Sequence, residues 1–458
     1  MKQNKTTNNT PLTLGTENIG KLLMQYALPA IIAMTASSLY NITDSIFIGH
    51  GVGHLALSGL AITFPLMNLS AAVGTLVGVG ASALLSIRIG QKDYETANII
   101  LGNVFSLNLV IGIIFSVISI IFLKPILIFF GASDATLPYA YDFMLIILAG
   151  NVFSHMYFGL NALFRSIGNP QKAMMATIFT VVINLVLNPL FIFGFKWGIR
   201  GSAFATIIAQ CSVLLWQLYL LNDKQSFIHW KKGIYALRKK IVKDTFSIGL
   251  APFLMNAASC LIVIIINRQL IRHGGDVAVG AYGIVNRVAF LFVMIVMGIN
   301  QGMQPIAGYN YGAKLQSRVI EVLKKSIFYA TIIMTIGSLT VELFPHAVAA
   351  LFTQEKELVD VAVSGLRWMF AVYSLVGCQM VVSAFFQSIG KPTQAIILSM
   401  SRQVLILIPL LLILPNFWGV SGVWMSMTIS DFLAVLLALL LLHFEIKRFA
   451  KEKNNTQF

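Results

Sequence analysis

Phe164-Arg165-Ser166-Ile167-Gly168-Asn169-Pro170 returns 222 residues later as Phe386-Gln387-Ser388-Ile389-Gly390-Lys391-Pro392. Working outward, Trp197-Gly198-Ile199-Arg200-Gly201-Ser202 matches Trp418-Gly419-Val420-Ser421-Gly422-Val423 after a one-residue slip. Ala27-Leu28-Pro29 falls on Leu250-Ala251-Pro252, and residues 56–62 fall on 278–284. Each match is short, but four in the same order mark an internal repeat of half the chain.

What repeats is apolar. The 458 residues are 57% hydrophobic and 11% charged, with a mean hydropathy of +0.82, whereas a soluble domain is about 25% charged. Runs of spanning length, roughly 20 residues, centre on 22–49, 57–86, 98–123, 137–162, 173–195 and 200–221. Six more centre on 245–271, 278–304, 322–344, 361–386, 394–414 and 419–443. The connection at 86–98 reads as a short loop with an amphipathic start. The fold class is therefore an all-α polytopic membrane protein with twelve transmembrane helices in two pseudo-symmetric six-helix lobes. The expected division is a cytoplasmic tail at 1–18, an N-terminal lobe at 19–221, a basic cytoplasmic linker at 222–244, a C-terminal lobe at 245–445 and a tail at 446–458. The first twenty residues lack the charged-then-apolar order of a signal peptide, and the leader is expected to be mobile.

The formal charge of +15 belongs to this topology rather than to nucleic-acid binding. With the N-terminus inside, 23 lysines and arginines fall on the cytoplasmic side, five (Lys124, Lys196, Arg200, Arg272, Lys356) outside and four (Arg268, Arg287, Arg367, Arg402) within spans. That asymmetry obeys the positive-inside rule with both termini cytoplasmic and requires an even number of spans. The linker's seven basic residues are expected to set topology and touch anionic lipid. Cys211, Cys260 and Cys378 stand apart in apolar runs, and no HExxH occurs, so neither a disulfide framework nor a zinc site is expected.

Two six-span halves have the same orientation, a parallel repeat of the kind that builds transporters around a central cavity. Within the first span, Leu39-Tyr40-Asn41-Ile42-Thr43-Asp44-Ser45-Ile46-Phe47-Ile48-Gly49 carries an acid with no lysine or arginine nearby. A carboxylate in hydrocarbon costs about 2.5–3.5 kcal/mol on insertion scales, so it needs a partner, a cavity or a proton. Tyr40 and Asn41, at i−4 and i−3, share its helix face. Asp44 reads either as a structural acid paired to another helix or as a proton or cation site.

The Ser-Ile-Gly-x-Pro loops, Gln301-Gly302-Met303-Gln304-Pro305, Gly308-Tyr309-Asn310-Tyr311-Gly312-Ala313-Lys314, the early Leu28-Pro29 and Asn184-x-x-x-Asn188-Pro189 resemble the multidrug and toxic compound extrusion (MATE) family. The resemblance spans roughly residues 17–445 and is nearest the bacterial drug/cation antiporters. It implies two helical bundles, and export of amphipathic, often cationic compounds against inward H⁺ or Na⁺. It also implies an ion site placed by this pattern on Asp44, Asn184 and Thr206, with Tyr40 beside them. Asn188 stands where the family pattern often has Asp. A single carboxylate among Asn184, Asn188 and Thr206 could bind Na⁺ through oxygens (Asp44, Asn184, Thr206) or carry a proton itself, and the slight preference is for H⁺. No other cofactor or metal is expected.

Asn41, Phe64, Met67, Phe153, Tyr157, Asn161, Tyr282, Arg287 and Met294 are the candidate substrate-cavity residues, since aromatics and methionines make adaptable walls. Each also has an ordinary packing reading. Asp431 with Arg402 is expected to be a structural ion pair, His155 a hydrogen-bonded packing residue, and Pro29 either a bending point or a static kink. The expected partners are amphipathic drugs and the bilayer of the cytoplasmic (inner) membrane, with the protein acting as a monomer and binding no nucleic acid. A related-fold flippase of lipid-linked or anionic glycan is the alternative, kept open by Arg268, Arg287 and Arg367. A membrane transferase would need clustered carboxylates, and Glu355, Glu357 and Asp360 read more simply as a solvated loop.

Overall fold

Inside hydrocarbon a backbone must satisfy its own hydrogen bonds, which leaves helices as the only economical answer for runs of this composition. The computed structural model describes residues 10–223 and 226–455, with side chains from 13 to 223 and 226 to 449. A short helix α1 (Thr10–Thr16) precedes α2 (Ile19–Gly51), α3 (His54–Gly90), α4 (Tyr94–Ile121), the short α5 (Leu123–Phe129), α6 (Leu137–Ser166), α7 (Pro170–Pro189) and α8 (Gly198–Leu220). α7 runs on through a π-helical turn, Leu190–Gly194. The second half holds α9 (Lys239–Gly312), α10 (Gln316–Leu343), the short α11 (Pro345–Ala350), α12 (Lys356–Phe370), α13 (Tyr373–Ser388), α14 (Pro392–Met400), a π-helical stretch Ser401–Leu407, α15 (Ile408–Ile413) and α16 (Pro415–Asn455).

Two features turn these elements into twelve spans. α9 is 74 residues long but folds back at Gly275, whose φ of 63° and ψ of −160° only glycine adopts at low cost. It is therefore two spans, 239–274 and 276–312. α12 and α13 meet at a 53° bend and together form one broken span. With the long helices between them, the described residues contain six spans on each side of the central connection.

The repeat is written into the backbone as well as the sequence. Eight of the eleven left-handed residues among the described residues form four pairs at the repeat offset: Gly53 with Gly275, Lys92 with Lys314, Gly168 with Gly390, and Gly198 with Gly419. Each half also loosens into a π-helical stretch in its fifth span.

The lobes meet along α2, α3 and α9, and their tightest contacts gather at one end, where α2 begins and α3 finishes. A Cβ on Gly249 would lie 1.8 Å from the Leu76 carbonyl oxygen, and one on Gly80 2.1 Å from that of Thr245. Likewise a Cβ on Gly90 would lie 2.0 Å from the Tyr309 carbonyl oxygen, and one on Gly312 2.1 Å from that of Ile87. Further along, Gly302 and Gly298 back onto Ala27 and Ile31, and the Ser38 hydroxyl donates to the Met294 sulfur at 2.9 Å. Beyond this point Leu39, Phe64, Phe290 and Leu291 are exposed. The lobes are thus zipped at the basic end and part toward the other.

Three local expectations change. The stretch 1–18 carries a docked helix, because Leu14 is buried and its carbonyl accepts from Asn310 Nδ2 (3.0 Å) and Arg318 (3.0 Å), with Glu17 O also accepting from Arg318 (2.6 Å). Residues 1–9 and Lys224 lie outside the described residues. The connection between the second and third spans is only 91–93, since α3 runs to Gly90 and Asp93 caps α4 by accepting from Thr96 N. The central connection packs on α4: Asn103 Nδ2 donates to Ile234 O and Ala236 O, Ser106 to Tyr235 O, and Ile228 and Ile234 are buried. Its last basic residues, from Lys239, already belong to α9.

The glycine seam predicts that Gly249→Val, which overpacks by about 1–3 kcal/mol, forces the zipped end apart. Spin labels at the symmetry-related exposed positions Gln171 and Thr393 should show a longer distance in the variant; an unchanged distribution contradicts the seam.

Candidate functional site

Three helices of the N-terminal lobe each present a pair of polar side chains at i,i+4, one above the other on a single face. They are Tyr40 and Asp44 on α2, Asn184 and Asn188 on α7, and Ser202 and Thr206 on α8. The pairs converge. Ser202 Oγ donates to Asp44 Oδ1 at 2.6 Å, and Asn188 Nδ2 donates to the same oxygen. One turn away, Thr206 Oγ1 accepts from Asn184 Nδ2 at 3.2 Å and shares a 2.9 Å hydrogen bond with the Tyr40 hydroxyl. Asp44, Asn184, Asn188, Ser202 and Thr206 are all buried, and Tyr40 is half-buried.

The end of α7 shapes this cluster. Pro189 has no N–H to donate, and the following turn widens into the π-helical Leu190–Gly194. Asn188 thus sits at the last regular turn. Its Oδ1 and that of Asn184 are buried with no hydrogen-bond partner among the described residues. A buried amide oxygen left unpaired costs about 1–3 kcal/mol, so the cluster keeps two unused acceptors beside a carboxylate. This is an all-oxygen acceptor set, suited to a proton or a hard cation.

Charge balance sets Asp44 apart. Three carboxylates are buried among the described residues: Asp44, Asp431 and Glu445. Asp431 accepts from Arg402 Nε at 2.7 Å, the pairing expected from sequence, and Glu445 pairs with Lys391. Asp44 has no ion pair among the described residues; hydroxyl and amide donors alone solvate it.

Thus all five residues predicted for the ion site (Asp44, Asn184, Asn188, Thr206, Tyr40) come together. Ser202 was missed, although it lies four residues before Thr206 and inside the quoted Trp197–Ser202 motif. The predicted cavity residues differ in exposure. Asn41, Phe64, Phe153 and Arg287 are exposed, while Met67 and Met294 are half-buried. Tyr157 and Asn161 are buried within the N-terminal lobe, Asn161 donating to Ala173 O and Thr177 and accepting from Arg165. Tyr282 is buried against Trp424, ring centroids 6.4 Å apart. His155 is buried too, with Nε2 3.0 Å from Ser70 O.

A family model described as MatE matches residues 29–190 and again 249–413, one match per lobe. The multidrug export protein MepA of Staphylococcus aureus strain N315 is 27% identical over 423 residues, covering 92% of this chain and 93% of its own. MepA of Staphylococcus haemolyticus is 27% identical over 426 residues, covering 93% and 94%. Among solved structures, the MATE multidrug transporter DinF-BH is 40% identical, with a TM-score of 0.86 over 94% of this chain and 96% of that one. An outward-facing multidrug resistance MATE transporter, 24% identical, shares the fold at a TM-score of 0.89, covering 96% and 99%. Two lobes and two matches that together span more than two thirds of the chain lead to one conclusion: this protein belongs to the multidrug and toxic compound extrusion (MATE) family, a family of membrane transporters rather than enzymes.

Proposed function

We propose that the protein is a multidrug efflux antiporter that exports amphipathic, mainly cationic small molecules and couples their exit to an inward ion carried on Asp44. The observation that carries this is the unpaired buried carboxylate: a structural acid would hold a cation, as Asp431 and Glu445 do, whereas a carrier must leave its charge available. The multidrug export relatives and the multidrug transporter among the solved structures support the cargo class.

The coupling ion is H⁺. Asp44 Oδ1 already holds two donors, and a protonated carboxyl would offer a donor where the Asn184 and Asn188 carbonyl oxygens lack one. The same two oxygens, with Thr206, also suit Na⁺, and this is the second reading.

With the basic end cytoplasmic, the chain is a multi-pass protein of the inner membrane with both termini inside and the lobes parted toward the exterior. Asp44 lies 25 residues along α2 from Ile19, about 37 Å at 1.5 Å per residue, within reach of that outer opening. Loading from outside, release of drug and reclosure by alternate rocking of the lobes then complete a cycle.

Asp44→Asn should abolish efflux of a fluorescent cationic drug while the variant inserts and folds normally; wild-type efflux by it sinks the coupling role. In proteoliposomes, collapsing the pH gradient at constant Na⁺ should stop transport, and collapsing the Na⁺ gradient at constant pH should not; the opposite pattern establishes Na⁺. A double-mutant cycle of Ser202→Ala with Asp44→Asn, read by unfolding in micelles, should give a coupling of about 1.5–3 kcal/mol. A coupling near zero removes Ser202 from the site.

A further inference from the structure

On the bilayer-facing side of the lobe seam lies a crevice of about 250 Å³ between α2, α9 and α10. Its walls are apolar, including Met24, Leu28 and Ile31 of α2, Ile295 of α9, and Ile332 and Ile333 of α10. Met24 and Leu28 are about half exposed, at 53% and 50%, because nothing among the described residues covers them.

The mouth of the crevice is basic. Lys21 lies one turn before Met24, and Lys325 one turn before Tyr329, which also lines the wall. Lys325 reaches across to α2 at the residue before Lys21: its Nζ is 3.3 Å from where a Cβ on Gly20 would sit. Lys21 is bridged to Glu17 (2.6 Å) and Lys325 to Glu321 (2.8 Å), yet each ammonium has three donors. Lys324 is exposed beside them, and Arg318 spends its donors on the Asn310 side chain and the carbonyls of Leu14 and Glu17 rather than on an acid. The charged groups here are thus four basic and two acidic.

From Lys21 to Ile31 is ten residues, about 15 Å, or half of a ~30 Å hydrocarbon core. We infer that this crevice is a binding site for one anionic phospholipid, an acyl chain lying along Met24, Leu28 and Ile332 and the phosphate held between Lys21 and Lys325. The wholly apolar walls, one leaflet deep, fit a chain; the excess positive charge at the mouth selects an anionic over a zwitterionic headgroup. Because the walls come from both lobes, such a lipid would favour the arrangement closed at the basic end. The binding claim is independent of the coupling ion and of drug export.

Native mass spectrometry of the full-length protein with added phosphatidylglycerol or phosphatidylcholine tests it. Wild type should retain phosphatidylglycerol at least about tenfold better, a difference of ~1.4 kcal/mol. Lys21→Glu with Lys325→Glu should erase that preference, and Leu28→Trp, which fills the crevice and leaves the charges, should erase retention of the tightly held copy. Both variants should melt like wild type in phosphatidylcholine nanodiscs. Undiminished phosphatidylglycerol retention in either folded variant overturns the site.

Discussion

A carboxyl group with no counter-ion among the described residues, buried in a helix that crosses hydrocarbon, is the constraint on which the N-terminal lobe turns. An acid at the centre of a span costs about 2.5–3.5 kcal/mol, an upper bound for Asp44 seven residues from the end of α2, and each hydrogen bond to a charged group returns about 1.5–3 kcal/mol. The two donors it has, Asn188 and Ser202, therefore offset the cost without swamping it. A lysine or arginine in their place would fix the charge permanently. Uncharged donors hold the side chain in place and leave its charge free to be met by something that comes and goes.

The first long helix joins this site to the rest of the molecule. Between Ala27 and Ser38, α2 packs on the C-terminal lobe through Gly298, Gly302 and Met294. From Tyr40 to Asp44 it turns to α7 and α8 of its own lobe. One helix thus serves both the seam and the proposed ion site. In the proposed cycle a change at Asp44 alters how α2 sits against α7 and α8, and the same helix transmits that change to the seam. Glycines make this geometry reachable, because a Cβ at Gly80, Gly90, Gly249 or Gly312 would fall within 1.8–2.1 Å of a carbonyl oxygen of the facing helix.

Much of this was legible from sequence, for physical reasons. The repeat survives at backbone positions that tolerate few alternatives, such as the Gly168 and Gly390 turns and their following prolines. Asp44 stands out because an acid in hydrocarbon is expensive and so rarely accidental, and Tyr40 as its neighbour one turn earlier; Asn184, Asn188 and Thr206 are legible only through the resemblance to the family pattern. Ser202 did not stand out, since a serine in a span is cheap and usually bonds its own helix backbone. The docked α1 and the clasp of residues 227–236 on α4 were hidden too. Both are held by backbone carbonyls accepting from Asn98, Asn103, Asn310 and Arg318, a partnership with no sequence signature. Residue type and position along a span do not say which side of a helix faces a cleft, and Tyr157, Asn161 and Tyr282 are buried.

The central claim is that a proton on Asp44 and a drug in the transporter compete. The most direct measurement is proton release on adding a transported cationic drug to the purified protein in weakly buffered detergent solution. The account predicts release of up to a single proton per protein from wild type and none from Asp44→Asn. Equal release from both proteins, or none from wild type while drug binding is intact, would contradict it.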